Sequence, residues 1–242
     1  NGAVNIGDNA DASNHDIEYA SAGIPEIFVS GGSLNVYGQV RRNTLIETGS
    51  LNYYQSGGTT SIYGTDAQND RPLFEILNNG SLFRMSGGNL TIVRSFNNAA
   101  YNDVYIMPEA SNVSGGTVQF GTSATPASQF NAVLSSPVWN LTVDGTANAI
   151  MVNLRVSPLV VLNDLVIGNP TGAASALITN GYDVTIGHNL YNYNANAGTD
   201  ITSGGYRASD INQVTTFNGS SNQLLTGRSG NVTNFANLVF DN

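Results

Sequence analysis

The sequence predicts an all-β protein folded as a right-handed parallel β-helix, a β-solenoid with three short strands in each rung (one full winding of the chain). Three observations predict this fold. A Ser-Gly-Gly motif recurs at a regular spacing, an alternating apolar and polar segment follows each copy, and no stretch has helical periodicity. Repeats of this length are typical of solenoids. The right-handed form is expected because parallel crossover connections are nearly always right-handed.

The Ser-Gly-Gly motif sets the register of the predicted rungs. It begins at residues 30, 56, 86 and 114, at intervals of 26, 30 and 28 residues. The glycine pair permits the positive φ that a tight turn needs. The residue six positions after each serine is apolar: Val36, Ile62, Ile92 and Phe120. We therefore expect parallel pairing, with these four side chains in one inward column.

The first half divides into a polar N-terminal segment, residues 1–22, and a solenoid with Ser-Gly-Gly rungs, residues 23–125. Each rung is predicted to hold the Ser-Gly-Gly strand and two short strands before it. The strands immediately before the motif are predicted at 27–29, 51–54, 82–85 and 112–113. The strands before those are predicted at 44–46, 73–77 and 104–107.

Residues 126–242 are predicted to continue the solenoid as a fragment of a longer repeat array, with a change in cross-section near residue 125. The predicted strands are 150–154, 159–162, 165–167, 176–178, 184–186 and 190–193, with a turn at Asn180-Gly181. The final segment, 237–242, alternates and is uncapped. We expect it to pair with another rung or another copy, and a proline at Val239 to block that pairing.

The composition limits the partners. The chain of 242 residues contains 17 acidic residues, 8 basic residues that are all arginine, and no cysteine, with a net charge of −9. An acidic chain without lysine lacks the positive surface that nucleic acids or anionic membranes attract. No apolar run approaches 18 residues, so membrane insertion is not expected either.

Six segments of the second half follow a recurring pattern: Asn140-Leu141-Thr142-Val143, Thr179-Asn180-Gly181, Ile186-Gly187-His188-Asn189-Leu190, Thr216-Phe217-Asn218-Gly219, Gln223-Leu224-Leu225-Thr226-Gly227 and Asn237-Leu238-Val239-Phe240. With these segments, about residues 117–242 resemble repetitive secreted surface proteins and adhesins of the Bacteroidota. Proteins of this kind are exported by the type IX secretion system, and some serve gliding motility. The resemblance implies an extracellular or cell-surface location and a structural or adhesive role as a stiff stalk. It implies neighbouring repeats, and the secretion or motility machinery, as partners.

Glycan-binding or polysaccharide-degrading β-helices are the alternative. Sites of the pectin-degrading kind resemble paired carboxylates on adjacent rungs, with a Gly-His-Gly and a lysine. This chain has Gly187-His188-Asn189, but no Asp-Asp pair and no lysine. We therefore expect no enzyme activity, and no cleavage of pectin or alginate.

Two groups of residues are candidate binding sites. Asp8, Asp11 and Asp16 lie in a polar loop with spacing that could hold Ca²⁺. No other cofactor is expected. Four tyrosines on neighbouring rungs are candidates for stacking on surface glycans. They are Tyr37, Tyr53, Tyr54 and Tyr63. Adjacent strand residues face opposite sides, so Tyr53 and Tyr54 cannot both point inward.

Overall fold

The computed structural model describes residues 2–8, 15–20, 23–65, 71–96 and 102–241. The regular elements of this described part of the chain are β-strands. Up to residue 120 they are β1 (Ala3–Ile6), β2 (Ile17–Tyr19), β3 (Glu26–Val29), β4 (Ser33–Val36), β5 (Val40–Arg42), β6 (Asn52–Ile62), β7 (Phe74–Ile76), β8 (Leu82–Ile92), β9 (Val104–Ile106) and β10 (Ala110–Phe120). Beyond it they are β11 (Ser128–Leu134), β12 (Asn140–Val143), β13 (Ile150–Leu154), β14 (Leu159–Val161), β15 (Leu165–Ile167), β16 (Ala176–Ile178), β17 (Val184–Ile186), β18 (Leu190–Asn192), β19 (Tyr206–Arg207), β20 (Val214–Phe217), β21 (Leu225–Gly227) and β22 (Asn237–Phe240).

The strands form three parallel sheets. The first sheet runs β1-β4-β6-β8-β10-β12-β15-β18-β21, with β3 also paired to β6. The second sheet runs β2-β5-β7-β9-β11-β13-β16-β19, and the third runs β14-β17-β20-β22. Every strand pair among the described residues is parallel. Each rung therefore stacks on the one before it, which confirms the predicted parallel β-solenoid.

The predicted inward column is also confirmed. Val36 pairs with Ile62, and Ile62 pairs with Ile92. Ile92 in turn pairs with Phe120, and all four side chains are fully buried. The following rungs continue the column as Val143, Ile167 and Asn192. Stacked apolar columns of this kind fill the interior, and their burial stabilises the solenoid.

The Ser-Gly-Gly motif forms a corner inside one continuous strand. β6, β8 and β10 each span eleven residues and pass through it, so the two short strands predicted on either side are one element. Only the second glycine of each motif has positive φ, as at Gly88 with φ of 79°. The first glycine is needed for close approach, because a Cβ on Gly87 would lie 2.6 Å from the carbonyl oxygen of Ser56. The motif thus bends the strand and lets successive rungs touch.

Adding a methyl group at the first glycine should separate two rungs. We expect Gly87→Ala to lower the free energy of unfolding by about 2 kcal/mol, because the contact is with backbone that cannot rotate away. Gly31→Ala is the matched control, since Gly31 holds the same motif position and a Cβ there would meet nothing within 4 Å. Urea unfolding measures both. Equal effects of the two substitutions would contradict the close-packed corner.

One strand of the first half was predicted in the wrong place. The segment 44–46 lies in a turn, and its Leu45 is 90% exposed. The strand is instead β5, which contains Arg41 and Arg42. Both arginines are paired with buried carboxylates, Arg41 with Asp16 and Arg42 with Glu75. The strand is therefore formed by a segment that contains two charged residues, and not by the apolar segment 44–46.

The described part of the N-terminal segment belongs to the solenoid. The predicted division of the chain into a polar segment, residues 1–22, and a solenoid that starts at residue 23 is therefore wrong for these residues. β1 pairs with β4 in the first sheet, and β2 pairs with β5 in the second. β1 lies at the edge of its sheet and is largely exposed. An edge strand joins through its backbone and needs few apolar side chains, so the sequence pattern there is weak.

The second half follows the predicted strands closely. The six strands predicted between residues 150 and 193 coincide with β13 to β18. The third sheet appears only from β14 onward, where Val161 also bridges to Val138. The eleven-residue strands end at Phe120, so the cross-section changes between β10 and β14. The turn at Asn180-Gly181 has positive φ at both residues, as its sequence predicts.

Candidate binding surfaces

The four candidate tyrosines do not form one surface. Tyr53 is fully buried, where it packs edge-on against Phe74 with ring centroids 5.4 Å apart. Its hydroxyl lies 2.6 Å from Gln55 Oε1 and 2.8 Å from Thr60 Oγ1. Tyr53 is therefore a core residue, and its prediction as a glycan-stacking residue is wrong. The alternation of the strand turns it inward and Tyr54 outward.

Tyr54 stacks on Phe28, which is not one of the four candidate tyrosines. The ring centroids of Tyr54 and Phe28 are 4.4 Å apart and the planes differ by 4°. The two residues pair in register between β3 and β6, and Arg84 on β8 is next in the same column. The missed signal is a shared offset, because Phe28, Tyr54 and Arg84 each lie two residues before the serine of a Ser-Gly-Gly motif.

Tyr37 and Tyr63 form a second, separate aromatic pair. Their ring centroids are 4.4 Å apart with an angle of 12° between the planes. They follow the inward residues Val36 and Ile62 and lie at the far end of those strands from the Ser-Gly-Gly corner. Burial, and then the neighbouring Tyr37, raise the pKa of Tyr63 above the usual value for tyrosine. Both side chains are half-buried.

A groove lies between the Phe28 column and the row of motif serines. A depression of about 200 Å³ is lined on one side by Phe28, Tyr54 and Arg84. Its other side carries the row Ser30, Ser56 and Ser86. A second depression of about 290 Å³ adjoins it at Phe28 and Val29. The surface thus combines aromatic rings, hydroxyl groups and one cation.

The predicted calcium site is not assembled by the residues that the structure describes. Asp11 lies outside the described residues. Asp16 Oδ2 lies 2.5 Å from Arg41 Nε, and Oδ1 accepts the backbone N–H of Gln39 at 2.7 Å. Desolvation raises the pKa of Asp16, although the Arg41 hydrogen bond opposes that rise. Among the described residues no group of three carboxylate or imidazole side chains could hold a metal, so calcium binding by Asp8, Asp11 and Asp16 stays a prediction.

His188 belongs to a hydrogen-bonded cluster that joins two rungs. Its Nδ1 lies 2.8 Å from Asp164 Oδ1, and Asn189 Nδ2 lies 2.8 Å from the same nitrogen. Asn189 Nδ2 also donates to the hydroxyl of Tyr191 at 3.0 Å. The backbone N–H of Asn189 donates to Asp164 at 3.1 Å. These contacts hold the corner between the third and first sheets, which is a structural role.

The last rung leaves its core side chains open. Leu225 on β21 continues an inward column that includes Leu190, yet it is 45% exposed. On β22, Leu238 and Phe240 pair with the buried residues Thr215 and Phe217, yet they are 39% and 69% exposed. This end face, formed by Leu225, Leu238 and Phe240, is apolar.

No family model, curated protein or solved structure matches this chain. Within the described ranges, no helix is long and apolar enough to cross a lipid bilayer.

Proposed function

We propose that this chain is a structural and adhesive segment of a larger extracellular or cell-surface protein, a stiff stalk that presents side chains and loops along its length. Its three parallel sheets carry hydrogen bonds along one axis, rung after rung. Such ladders couple each rung to its neighbours, and stability accumulates along the stack. The cell-surface location and export by the type IX system rest on the resemblance of residues 117–242 to secreted adhesins.

The open end face carries this proposal. Leu225, Leu238 and Phe240 occupy inward positions, but no described rung covers them. Apolar side chains in such positions are stabilised when another rung stacks on them. The partner that fits is a further parallel rung, either a neighbouring repeat or a second copy of this chain.

The backbone of β22 offers hydrogen bonds on the same face. The amides of Asn237 and Asp241 donate to Gln213 O, just before β20, and to Phe217 O, at the end of β20. Because amides alternate along a strand, the amide of Val239 also faces β20, while those of Leu238 and Phe240 face away. A proline at Val239 would therefore break the internal ladder, so that expectation is wrong. Leu238 is the position where proline removes an outward donor.

The protein alone should associate end to end. We expect sedimentation velocity to show assembly that grows with concentration, because the unpaired edge and apolar end face can dock on another copy. Leu238→Pro and Phe240→Asp should shift the protein to monomer. Leu45→Asp is the matched control, since Leu45 is exposed on the side of the solenoid. A monomer at every concentration, or an equal effect of Leu45→Asp, would contradict the proposal.

We propose a binding rather than an enzymatic role for the side of the stalk. The Asp164–His188 pair is held by Asn189 and by backbone contacts, and no second carboxylate of the described residues joins it. Acid–base cleavage of a glycosidic bond normally needs two carboxyl groups across the bond. The groove at Phe28 favours the glycan-binding alternative.

A further inference from the structure

We propose that the groove beside Phe28, Tyr54 and Arg84 binds an acidic carbohydrate, an oligosaccharide of pyranose sugars that carry carboxylate groups; this inference rests on the binding role proposed above for the side of the stalk. The groove is formed by three neighbouring rungs and is separate from the end face. Its residues supply an aromatic platform, a cation and a row of hydrogen-bonding groups. Each of these fits a different part of a uronate sugar.

Phe28 supplies the stacking platform. One face of its ring lies on Tyr54, with parallel planes 4.4 Å apart. Among the described strands β3 pairs with β6, and none of these strands covers the other face of Phe28. The side chain is 66% exposed and opens on the depression lined by Gly2, Ala3 and Val4. The C–H face of a pyranose can cover such a ring and remove its apolar surface from water.

Arg84 supplies an uncommitted positive charge. Six of the eight arginines have partners among the described residues, namely Arg41, Arg42, Arg71, Arg155, Arg207 and Arg228. Arg84 has none, and it is exposed at the groove. A guanidinium binds a carboxylate through two parallel hydrogen bonds, which adds geometric specificity to charge. A carboxylate on the ligand is the partner that this side chain lacks.

Hydrogen-bonding groups flank the column on both sides. Ser30, Ser56 and Ser86 line the groove with hydroxyl groups. On the other side, two residues before Tyr54, Asn52 Nδ2 donates to Glu26 Oε1 at 3.4 Å, and the Tyr54 hydroxyl donates to the same oxygen at 3.4 Å. Sugar hydroxyls both donate and accept, so they suit serine and asparagine together.

The spacing suits a short chain of sugars lying along the solenoid axis. Phe28 and Arg84 lie two rungs apart, which is about 10 Å. The depressions of about 290 and 200 Å³ meet at Phe28 and Val29, so the surface is continuous across these rungs. One sugar can stack on Phe28 while a sugar further along the same oligomer places its carboxylate at Arg84. A nucleic acid does not fit, because one cation on a chain of net charge −9 cannot neutralise a run of phosphates.

Calorimetric titration with oligogalacturonate tests the proposal, with cello-oligomers of equal length as the uncharged comparison. We expect oligogalacturonate to bind the intact chain, and cello-oligomers to bind at least tenfold more weakly. Arg84→Gln should weaken oligogalacturonate binding at least tenfold and leave cello-oligomer binding unchanged. Phe28→Ala should weaken both. Arg155→Gln is the matched control, because Arg155 is paired with Asn131 elsewhere on the surface.

Three results would overturn the proposal. The first is no oligogalacturonate binding by the unaltered protein. The second is binding that survives both Arg84→Gln and Phe28→Ala, which would locate the ligand elsewhere. The third is equal binding of both oligomers with no effect of Arg84→Gln, which would make the ligand a neutral glycan. Circular dichroism of the variants checks folding, and the exposed positions of both side chains make a folding defect unexpected.

Discussion

Raising the pH from 9 to 11 is expected to remove about 4 kcal/mol from the free energy of unfolding. Three tyrosines cause this loss: Tyr19, Tyr53 and Tyr206, which are at most 3% exposed. Burial is the main cause that raises the pKa of each phenol above its usual range. The loss is comparable to the whole stability of many single domains.

The direction follows from where the protons are bound. In the unfolded chain these phenols ionise near pH 10, whereas in the folded protein their raised pKa values keep them neutral. Above pH 10 the unfolded state therefore binds fewer protons than the folded state, and stability falls as the pH rises. Each tyrosine contributes about 1.4 kcal/mol per pH unit, so three give about 4 kcal/mol per unit once the unfolded phenols are ionised.

Urea unfolding at several pH values measures this slope. A variant with all three tyrosines changed to phenylalanine should start less stable, because Tyr19 loses its bond to Glu75 O and Tyr206 loses its bond to Thr215. Its stability should nevertheless depend much less on pH between 9 and 11. Parallel curves for the variant and the unaltered protein would contradict the assignment to these three residues.

Removing the Glu75 carboxylate is expected to lower the free energy of unfolding by about 3–5 kcal/mol, because it leaves Arg42 without its charge partner in the interior. Glu75 is fully buried, and Oε1 lies 3.1 Å from Arg42 Nε. The same oxygen accepts the backbone N–H of Arg42 at 2.5 Å. Glu75→Ala therefore breaks an ion pair and a hydrogen bond that joins β5 to β7. Urea unfolding at neutral pH measures the loss.

Glu47→Ala is the matched control for Glu75→Ala. Glu47 is 79% exposed and lies 3.9 Å from Arg71, and surface pairs of this kind contribute less than about 1 kcal/mol. The double variant Arg42→Met, Glu75→Leu should recover part of the loss, because no unpaired charge remains. Equal losses in Glu47→Ala and Glu75→Ala would show that the buried pair contributes no more than a surface pair.

The sequence predicted the repeating part of the fold well, because a local motif controls it. Each Ser-Gly-Gly fixes a corner, and the position six residues later falls in the buried column that includes Ile62 and Ile92. Alternation then decides which side chains point inward. The same alternation explains β14, β15, β17 and β18, which are three residues long with the first and third residues buried.

The parts that were missed depend on contacts between distant segments. β5 carries Arg41 and Arg42, whose burial is stabilised by carboxylates from other rungs, and no local pattern indicates this. The two Asn-Leu strands that match at 140–143 and 237–240 lie in different sheets, the first and the third. The Asn-Leu motif indicates a strand that pairs with the neighbouring rungs. The sheet that this strand joins depends on the number of residues between it and the preceding corner.

The candidate groove was half predicted. Tyr54 was one of the four tyrosines predicted to stack on glycans, but Phe28 and Arg84 were not predicted, because neither is a tyrosine. Their common position relative to the serine of the motif places them in one column. The signal that could have identified Phe28 and Arg84 is their position relative to the motif, and not their residue type. Tyr53 was predicted wrongly because alternation along the strand shows that Tyr53 and Tyr54 face opposite sides, but does not by itself show which of the two faces the interior.

The stacked rungs also determine how the solenoid would respond to tension. Sheet order places β1 and β21 at opposite ends of the first sheet, so a pull on the two ends acts along the hydrogen-bond ladders. A rung of the first half takes 26 to 30 residues. It occupies about 4.8 Å of the axis when folded and about 90 Å when extended. Unfolding of one terminal rung would therefore lengthen the chain by many times the axial rise of that rung. The remaining rungs would keep their register and bear the tension.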